Sequence, residues 1–361
     1  MERSEVVKNV LIVGRGIIGS SLAFYLQRSG AQVTIVSDDT ERATDGSFGW
    51  INASFYNDEA HFRVRNAGLE AYRRLTQTLE LPVNWSGCLC WENEGEALRE
   101  QLSDLKQLGY AAERIDQMEF AALEPNVPNP PQECIYLPQE AAAESGALAD
   151  ALSDEAIRLG AKTIRGHVSR LIAEDDRIVG AEVDGSAVKA DEVVVAAGVH
   201  TPAFVQPFGC ALPMLDRPAV ILKTKPVTPK FSHIWVSEIG EVRQLPDGSI
   251  LMPAAVGHQS IEASPDSPEL EASAQAALAR LAKFTGIELE LDWAKLAFRP
   301  VPKDGLPVTG RFKKGGYVAV MHSGITLAAI MGELISEEIM SGPSNQTDQY
   351  LAPYRPDRFR T

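Results

Sequence analysis

Cysteine, histidine and basic residues are scarce in this sequence. The 361 residues include 4 cysteines and 6 histidines, and 34 lysines and arginines stand against 49 aspartates and glutamates. The cysteines are Cys88, Cys90, Cys134 and Cys210, which form no paired C-x-x-C units. A chain of this length needs no disulfides for stability, so we predict free thiols in a reducing compartment. The histidines lack the spacing of metal ligands, which predicts no metal site.

Long apolar runs are also absent. No stretch approaches the roughly 18 uninterrupted apolar residues that cross a bilayer, and residues 1–9 are too charged and too short for a secretory signal. The net charge of −15 and the isoelectric point near 4.9 disfavour nucleic acids and anionic membranes as partners, because both would be repelled. We therefore predict a cytoplasmic protein with no transmembrane segment and no nucleic-acid partner.

Glycines are concentrated after the first apolar run. Gly14, Gly16 and Gly19 lie between residues 10–13 and a stretch with helical periodicity, and a second apolar run follows at 33–36. This strand, turn, helix and strand occupy roughly 30 residues, the size of a mononucleotide-binding βαβ unit. Gly14 permits the tight turn, Gly16 lets backbone amides approach a pyrophosphate, and Gly19 lets the helix pack on the strand. The pattern predicts dinucleotide binding.

The end of the second predicted strand departs from the usual dinucleotide pattern. The position after Val36, where an acidic residue is expected to bind ribose hydroxyls, holds Ser37, and Asp38 follows. Either residue is a candidate ribose ligand, although an aspartate here also suits a solvated turn. No arginine or lysine occupies this position, which argues against NADP, while Arg42 is near enough to keep NADP open.

The rest of the chain predicts two kinds of sheet. The apolar run 193–197 is typical of a strand buried on both faces of a parallel sheet. β-branched and aromatic residues between 219 and 253, broken by a turn at 246–249, predict antiparallel hairpins. A last apolar strand at 317–321 leads through a turn into a helix at 326–340.

The length favours two domains, because single domains usually hold about 100–200 residues. We predict an α/β fold with a Rossmann-like nucleotide-binding domain and a second α+β domain built on an antiparallel sheet. The nucleotide-binding domain is predicted to be discontinuous, with the substrate domain inserted into it. The predicted ranges are 1–80, 140–215 and 290–361 for the first domain, and 81–139 and 216–289 for the second.

Several segments, taken in order, resemble the FAD-dependent amine and amino-acid oxidoreductases of the D-amino-acid oxidase and glycine oxidase family. They span nearly the whole chain: 13–19, 193–198, Arg299-Pro300 ahead of 304–307 and Gly310, 322–325, and 351–359. The resemblance implies a glutathione-reductase-type FAD-binding domain that holds FAD in an extended pose.

The resemblance also implies which residues contact FAD. The first helix would take the pyrophosphate, the loop 47–50 would lie beside the isoalloxazine, and the start of the last helix would face the N1/C2=O edge. The implied FAD-binding residues are Gly14, Gly16, Ile17, Ile18, Gly19, Ser37, Asp38, Ser47, Phe48, Gly49, Trp50, Val168, Ala197, Gly198, His322, Ser323, Gly324, Ile325 and Thr326. Some relatives attach flavin through a cysteine or histidine where this chain has Ala297-Phe298 and Ser47-Phe48, so non-covalent FAD is expected.

For the substrate, the resemblance points first to Arg299. An arginine in this Arg-Pro segment binds the substrate carboxylate through a planar, bidentate fork; a salt bridge at the domain interface is the alternative role. Arg243 is a second candidate, on a strand where relatives often carry a tyrosine, and Trp50 and His322 are further candidates. We name no general acid or base, because hydride transfer from a neutral amine depends mainly on proximity and electrostatics.

The predicted activity is FAD-dependent oxidation of an amine or amino acid, of the D-amino acid, glycine or N-substituted glycine type, to an imine that hydrolyses. Two alternatives stay open: a FAD-dependent 2-hydroxy-acid dehydrogenase, and a flavin-carrying subunit of a larger electron-transfer complex. The expected partners are a small-molecule substrate together with oxygen or an electron-acceptor protein, or a second copy of the chain in a homo-oligomer.

Overall fold

The first apolar run forms the centre of a parallel sheet. In the computed structural model, which describes residues 7–38, 40–255 and 267–360, Asn9–Val13 pairs in parallel with Gln32–Ser37 and with Glu192–Val195. Within these ranges this first sheet has six strands, in the order Val308–Lys313, Gly316–Val320, Glu192–Val195, Asn9–Val13, Gln32–Ser37 and Lys162–Arg165. Val308–Lys313 is antiparallel to its neighbour at the edge.

The central strand is buried on both faces, as its continuous apolar sequence predicts. Val10 and Ile12 belong to a core shared with the helices, and Leu11 and Val13 belong to a second core on the opposite face. In the described part of the chain the α-helices are α1 (Ile17–Arg28), α2 (Glu59–Thr76), α3 (Gly95–Gln107), α4 (Gln117–Leu123), α5 (Ser145–Arg158), α6 (Thr201–Val205), α7 (Pro268–Thr285), α8 (Gly324–Ser341) and α9 (Asn345–Leu351).

Helix α1 packs between α5 and α8 on the helical face of the first sheet. The contact with α8 is close, because Ser21 Oγ donates a hydrogen bond of 2.6 Å to the carbonyl of Ala328. A Cβ at Gly332 would lie 2.3 Å from the ring of Tyr25, so glycine is required where the two helices meet. The opposite face carries a small sheet of Val168–Glu174, Arg177–Val183 and Ser186–Lys189.

A second, mostly antiparallel sheet lies beyond the first. Its eight strands within the described ranges run in the order Leu291–Phe298, Pro218–Thr224, Ile250–Pro253, Gly240–Gln244, Ile234–Ser237, Cys88–Cys90, Glu133–Leu137 and Glu113–Asp116. Ile234–Ser237 and Cys88–Cys90 form a parallel pair within it. Helix α7 covers one end of the sheet, and Trp235 is fully buried in the core beneath it.

Three short pairings complete the sheet structure. Trp50–Ile51 and Val83–Asn84 flank Ala141–Ala143 in a small antiparallel sheet, and Met214–Leu215 pairs with Val301–Pro302. The first of these pairings brings Trp50 close to Glu140, the residue directly before Ala141–Ala143.

The predicted α/β fold class is confirmed. The division into two domains stays a prediction, and parts of its ranges, 1–6 and 256–266, lie outside the described residues. Its boundary at 290 does not follow the sheets. Leu291–Phe298 pairs with Pro218–Thr224 in the second sheet rather than joining the first sheet, so the chain returns to the first sheet only after this strand.

All four cysteines, Cys88, Cys90, Cys134 and Cys210, are buried free thiols, as the sequence predicts. Among the residues with described placement, no group of three histidine, cysteine or acidic side chains could hold a metal ion. No helix in the described ranges is both long and apolar enough to cross a membrane.

Candidate active site

A cleft of about 1690 Å³ lies between the two sheets and collects segments that are distant in sequence. The carboxyl ends of the strands of the first sheet form one wall, and residues of the second sheet form the other. It is lined by these predicted residues: Gly14, Gly16, Ile17, Ile18, Ser37, Asp38, Ser47, Phe48, Gly49, Trp50, Val168, Ala197, Gly198, Arg299, His322, Ser323, Gly324, Ile325 and Thr326. Two predicted residues, Gly19 and Arg243, are not on the described wall.

The glycine-rich turn closes one part of this wall. Gly14 has φ +106°, and a Cβ there would lie 2.5 Å from the carbonyl oxygen of Ala196. A Cβ at Gly19 would lie 2.0 Å from the carbonyl oxygen of Gly14. Gly19 therefore lets α1 approach the turn, whereas Gly16 is open to the cleft, with Thr44 Oγ1 at 3.4 Å as the nearest atom to its Cβ position.

Helix α1 presents its N-terminus to the cleft. Its N-cap residue, Gly16, provides no side-chain cap, and the first turn contains no acidic residue. The amide of Ile17 donates a hydrogen bond of 3.0 Å to Thr44 Oγ1. An open glycine beside a helix N-terminus fits a phosphate group, because backbone amides and the positive end of the helix dipole both favour an anion.

Ser37 and Asp38 lie at the next strand end, also on the cleft wall. The Asp38 carboxylate accepts a hydrogen bond of 2.5 Å from Thr40 Oγ1, and this bond lowers the pKa of Asp38. Arg42 donates bonds of 2.6 Å to Asp45 and 2.7 Å to Asp150. Since two carboxylates already balance its charge, Arg42 is poorly suited to a 2′-phosphate.

The loop before Trp50 is held by a buried carboxylate. Trp50 Nε1 donates a hydrogen bond of 2.9 Å to Glu140 Oε2, while the Tyr110 hydroxyl and the Ser54 amide donate to Oε1 over 2.8 and 3.3 Å. Burial raises the pKa of Glu140 to about 7, against the lowering effect of these bonds. Pairing of Trp50–Ile51 with Ala141–Ala143 places Glu140 beside the indole.

Helix α8 begins at the cleft next to this loop. Thr326 Oγ1 donates to the carbonyl of Trp50 over 3.2 Å and accepts from the amide of Asn52 over 3.3 Å. Ser323, the N-cap of α8, gives the helix no side-chain cap. Its hydroxyl instead accepts a bond of 2.5 Å from Arg65 Nη1. The N-terminus of α8 is therefore fixed to the loop and to α2.

Arg65 is a cleft residue that no sequence motif identifies. Its side chain is buried, and burial lowers the pKa of Arg65 to about 10. Besides Ser323, it donates to the carbonyl of Asn52 over 3.1 Å and to Asn52 Oδ1 over 2.6 Å. A signal for it exists in the sequence, because Arg65 falls on the apolar face of α2 with Phe62 and Leu69.

Arg299 also lines the cleft and has an unused hydrogen-bond donor. Its Nε donates a hydrogen bond of 2.9 Å to the carbonyl of Arg217, and its buried Nη2 has no hydrogen-bond partner among the described residues. Burial and the neighbouring charge of Arg217 lower the pKa of Arg299, while Glu241 has the opposite effect. Arg299 lines the cleft, and an arginine there with an unpaired guanidinium nitrogen fits a ligand carboxylate.

Arg243 stays a predicted substrate residue, although the structure does not place it on the described wall of the cleft. It lies behind the loop, where its three guanidinium nitrogens donate to the carbonyls of Phe48 and Ala143 and to Glu144, over 2.6, 3.0 and 3.0 Å. These bonds use every nitrogen of the guanidinium. In this arrangement all three nitrogens of Arg243 support the loop.

Comparison with known proteins agrees with this geometry. The model of the FAD dependent oxidoreductase family matches residues 9–338. A glycine oxidase from Bacillus licheniformis is 25% identical to this chain, and the match covers 93% of this chain and 94% of the glycine oxidase. One of the subunits of an opine oxidase from Rhizobium meliloti is 24% identical, over 92% of this chain and 94% of its own length. The structure of an iminodiacetate oxidase from Chelativorans sp. BNC1 has a TM-score of 0.82 at 22% identity, covering 96% of this chain and 98% of that chain.

The protein is thus a flavin-dependent oxidoreductase by class. The chain belongs to the FAD dependent oxidoreductase family, which confirms the resemblance seen in the sequence, and FAD is its cofactor. The cleft fits that molecule: the open Gly16 and the start of α1, whose N-cap residue has no capping side chain, suit the pyrophosphate. The volume of about 1690 Å³, lined by both Ser37 and Thr326, has room for an extended dinucleotide.

Proposed function

We propose that this protein oxidises the C–N bond of an amino acid or an N-substituted glycine whose carboxylate is bound by Arg299. The observation that carries this proposal is the buried Nη2 of Arg299, a donor without a partner among the described residues, on a side chain that lines the cleft. Leaving such a group unpaired costs about 1–3 kcal/mol, and a substrate carboxylate removes that cost.

The names of the relatives support an amine as the substrate. The glycine oxidase, the opine oxidase and the iminodiacetate oxidase are all named for compounds in which nitrogen is bonded to a carbon next to a carboxylate. A 2-hydroxy acid would offer Arg299 the same carboxylate, but these names do not favour it. A flavin-carrying protein without catalysis would have no use for the open donor on Arg299.

In the proposed mechanism, the residues of the chain bind the substrate, orient its reacting carbon and stabilise developing negative charge. FAD, when bound, supplies the acceptor for a hydride. Arg299 would fix the substrate carboxylate so that the reacting carbon points into the cleft, which supplies proximity. Glu140 holds the indole of Trp50 in the wall, and the loop excludes water on that side. The uncapped start of α8 would stabilise negative charge that develops beside it.

We also propose that the implied FAD-binding residues hold the cofactor without a covalent bond. Neither Ser47-Phe48 nor Ala297-Phe298 offers a cysteine or histidine side chain, and all four residues line the cleft. The two sheets would then correspond to a nucleotide-binding and a substrate domain, with Leu291–Phe298 in the latter. Trp50 and His322 are proposed to contact the substrate from the FAD side of the cleft.

The proposal is tested with purified holoenzyme under anaerobic conditions. Glycine, N-methylglycine, iminodiacetate, D-alanine and lactate are mixed with the protein, and bleaching of flavin absorbance is recorded. We expect at least one amine, and not lactate, to bleach the flavin; bleaching by lactate alone would overturn the proposal. Peroxide measured after admission of air then distinguishes oxygen from a carrier protein as the electron acceptor.

A further inference from the structure

Arg65 carries a buried positive charge that no carboxylate among the described residues balances at contact distance. Its relative exposure is 5%, and its three nitrogens donate to Ser323 Oγ, the Asn52 carbonyl and Asn52 Oδ1. All these acceptors are neutral. They satisfy the N–H groups but leave the charge uncompensated, and a buried charge without a counter-ion costs several kcal/mol.

The ionisable groups near Arg65 do not remove this imbalance. Glu140, Tyr110 and Tyr354 act on Arg65 through space, but Glu140 is bonded to Trp50, Ser54 and Tyr110 instead. Burial raises the pKa of Glu140 to about 7, so this carboxyl is only partly ionised near neutral pH. Within the part of the chain that the structure describes, no salt bridge to Arg65 is formed.

The position of Arg65 indicates that its positive charge acts on a ligand in the cleft. The guanidinium contacts the N-cap of α8, and both Arg65 and the first residues of that helix line the cleft. A cation and the positive end of a helix dipole therefore act on the same region. A fixed buried cation in a ligand cleft favours a ligand that carries negative charge there.

We propose that Arg65 is a positioning and electrostatic residue that stabilises the negative charge of reduced FAD. Hydride transfer adds two electrons and one proton to neutral FAD and gives an anionic reduced flavin, so the cofactor gains one negative charge. The contact with Ser323 holds the Arg65 guanidinium beside the start of α8, where its positive charge balances the negative charge of the reduced cofactor. Oxidised FAD thereby becomes a better hydride acceptor. This inference requires bound FAD and does not depend on the identity of the substrate.

The experiment uses FAD-loaded wild type and Arg65→Gln and Arg65→Lys variants, with two readouts other than turnover. One is the two-electron midpoint potential. The other is the dissociation constant for sulfite, which adds to oxidised flavin and leaves it negatively charged. We expect Arg65→Gln to weaken sulfite binding about tenfold or more and to lower the potential by about 30 mV, the two-electron equivalent of tenfold, and we expect Arg65→Lys to restore most of both.

A purely structural role would give a different result. Arg65→Gln would then lower thermal stability while sulfite affinity and potential stayed as in the wild type, and this outcome would overturn the inference. If Arg65→Gln does not fold, Asn52→Asp provides the second variant, because it places a carboxylate 2.6 Å from Nη2 in nearly the same shape. Weaker sulfite binding by Asn52→Asp supports the inference, and unchanged binding overturns it. Asn345→Asp, at the exposed start of α9, controls for the added charge.

Discussion

Trp50 and Glu140 are joined by a hydrogen bond of 2.9 Å between the indole nitrogen and a carboxylate with no exposed surface. The indole lines the cleft, and the carboxylate lies behind it, where Tyr110 also donates to it. Ninety positions separate the two residues in the chain. The bond therefore fixes a cleft residue from a distant segment, and it makes the shape of the cleft sensitive to the ionisation of one buried acid.

Glu140→Gln should change how stability depends on pH. Burial raises the pKa of Glu140 from 4.5 to about 7, so the folded protein holds this proton more tightly than the unfolded chain does. The contribution of Glu140 to the free energy of unfolding therefore falls as pH rises from 4.5 to about 7. Because glutamine does not titrate, the variant should gain roughly 3 kcal/mol relative to wild type across this window.

Denaturant unfolding of both proteins at several pH values from 4.5 to 8 measures this difference. The exposed Glu100→Gln substitution on α3 makes the same chemical change without burial and serves as the control. A stability difference between Glu140→Gln and wild type that stays constant across the window would contradict the assignment.

Arg299→Leu should weaken substrate binding and leave FAD in place. Loss of charge-assisted hydrogen bonds to a carboxylate corresponds to about 10- to 100-fold in KM, and Arg299→Lys should recover part of it, because lysine keeps the charge without the fork. Steady-state kinetics together with the flavin content of the purified protein measure both effects. An unchanged KM would remove Arg299 from the substrate site.

Arg243→Met should act mainly on stability. It leaves the carbonyls of Phe48 and Ala143 and the carboxylate of Glu144 without their donor, and each buried acceptor left without a donor costs about 1–3 kcal/mol. Thermal unfolding of the holoenzyme, compared with Arg299→Leu, separates the two arginines. If Arg243→Met unfolded at the wild-type temperature and raised KM instead, a direct contact with the substrate would be favoured.

Gly14→Ala and Gly30→Ala form a matched pair. Both glycines have positive φ, +106° and +89°, but only at Gly14 would the new Cβ meet backbone, at 2.5 Å from the carbonyl oxygen of Ala196; no described atom lies within 4 Å at Gly30. We expect Gly30→Ala to cost about 1 kcal/mol through strain alone and to retain FAD. Gly14→Ala should lose FAD or fail to fold. Equal flavin content in the two variants would contradict the proposed cradle.

The elements that sequence predicts well are those whose signal is local. The apolar runs at 10–13, 33–36 and 193–197 became Asn9–Val13, Gln32–Ser37 and Glu192–Val195, because residues buried on both faces of a parallel strand form a continuous apolar run. The glycine spacing likewise reports backbone geometry directly. The family and its cofactor follow from these local features and their order.

The features that could not be predicted from sequence depend on which distant segments meet. Leu291–Phe298 pairs with Pro218–Thr224, but the residue pattern of neither strand indicates which partner it pairs with. The sequence places Arg243 on a strand but does not show its partners Phe48 and Glu144, which come from other segments. The signal for Arg65 is an arginine on an apolar helix face, which cannot distinguish a buried cation from a side chain that reaches solvent.

Helix α1 is covered by α8, which lies about 300 positions later in the sequence. The hydrogen bond from Ser21 to the carbonyl of Ala328 joins the two helices. During translation, Asn9–Val13 and α1 therefore emerge with one apolar face exposed, and they remain so until α8 has been made. Contacts of such long sequence separation form slowly. A nascent chain cut short before α8 would thus be an exposed target for chaperones and proteases, and it would lack the part of the cleft wall that α8 supplies.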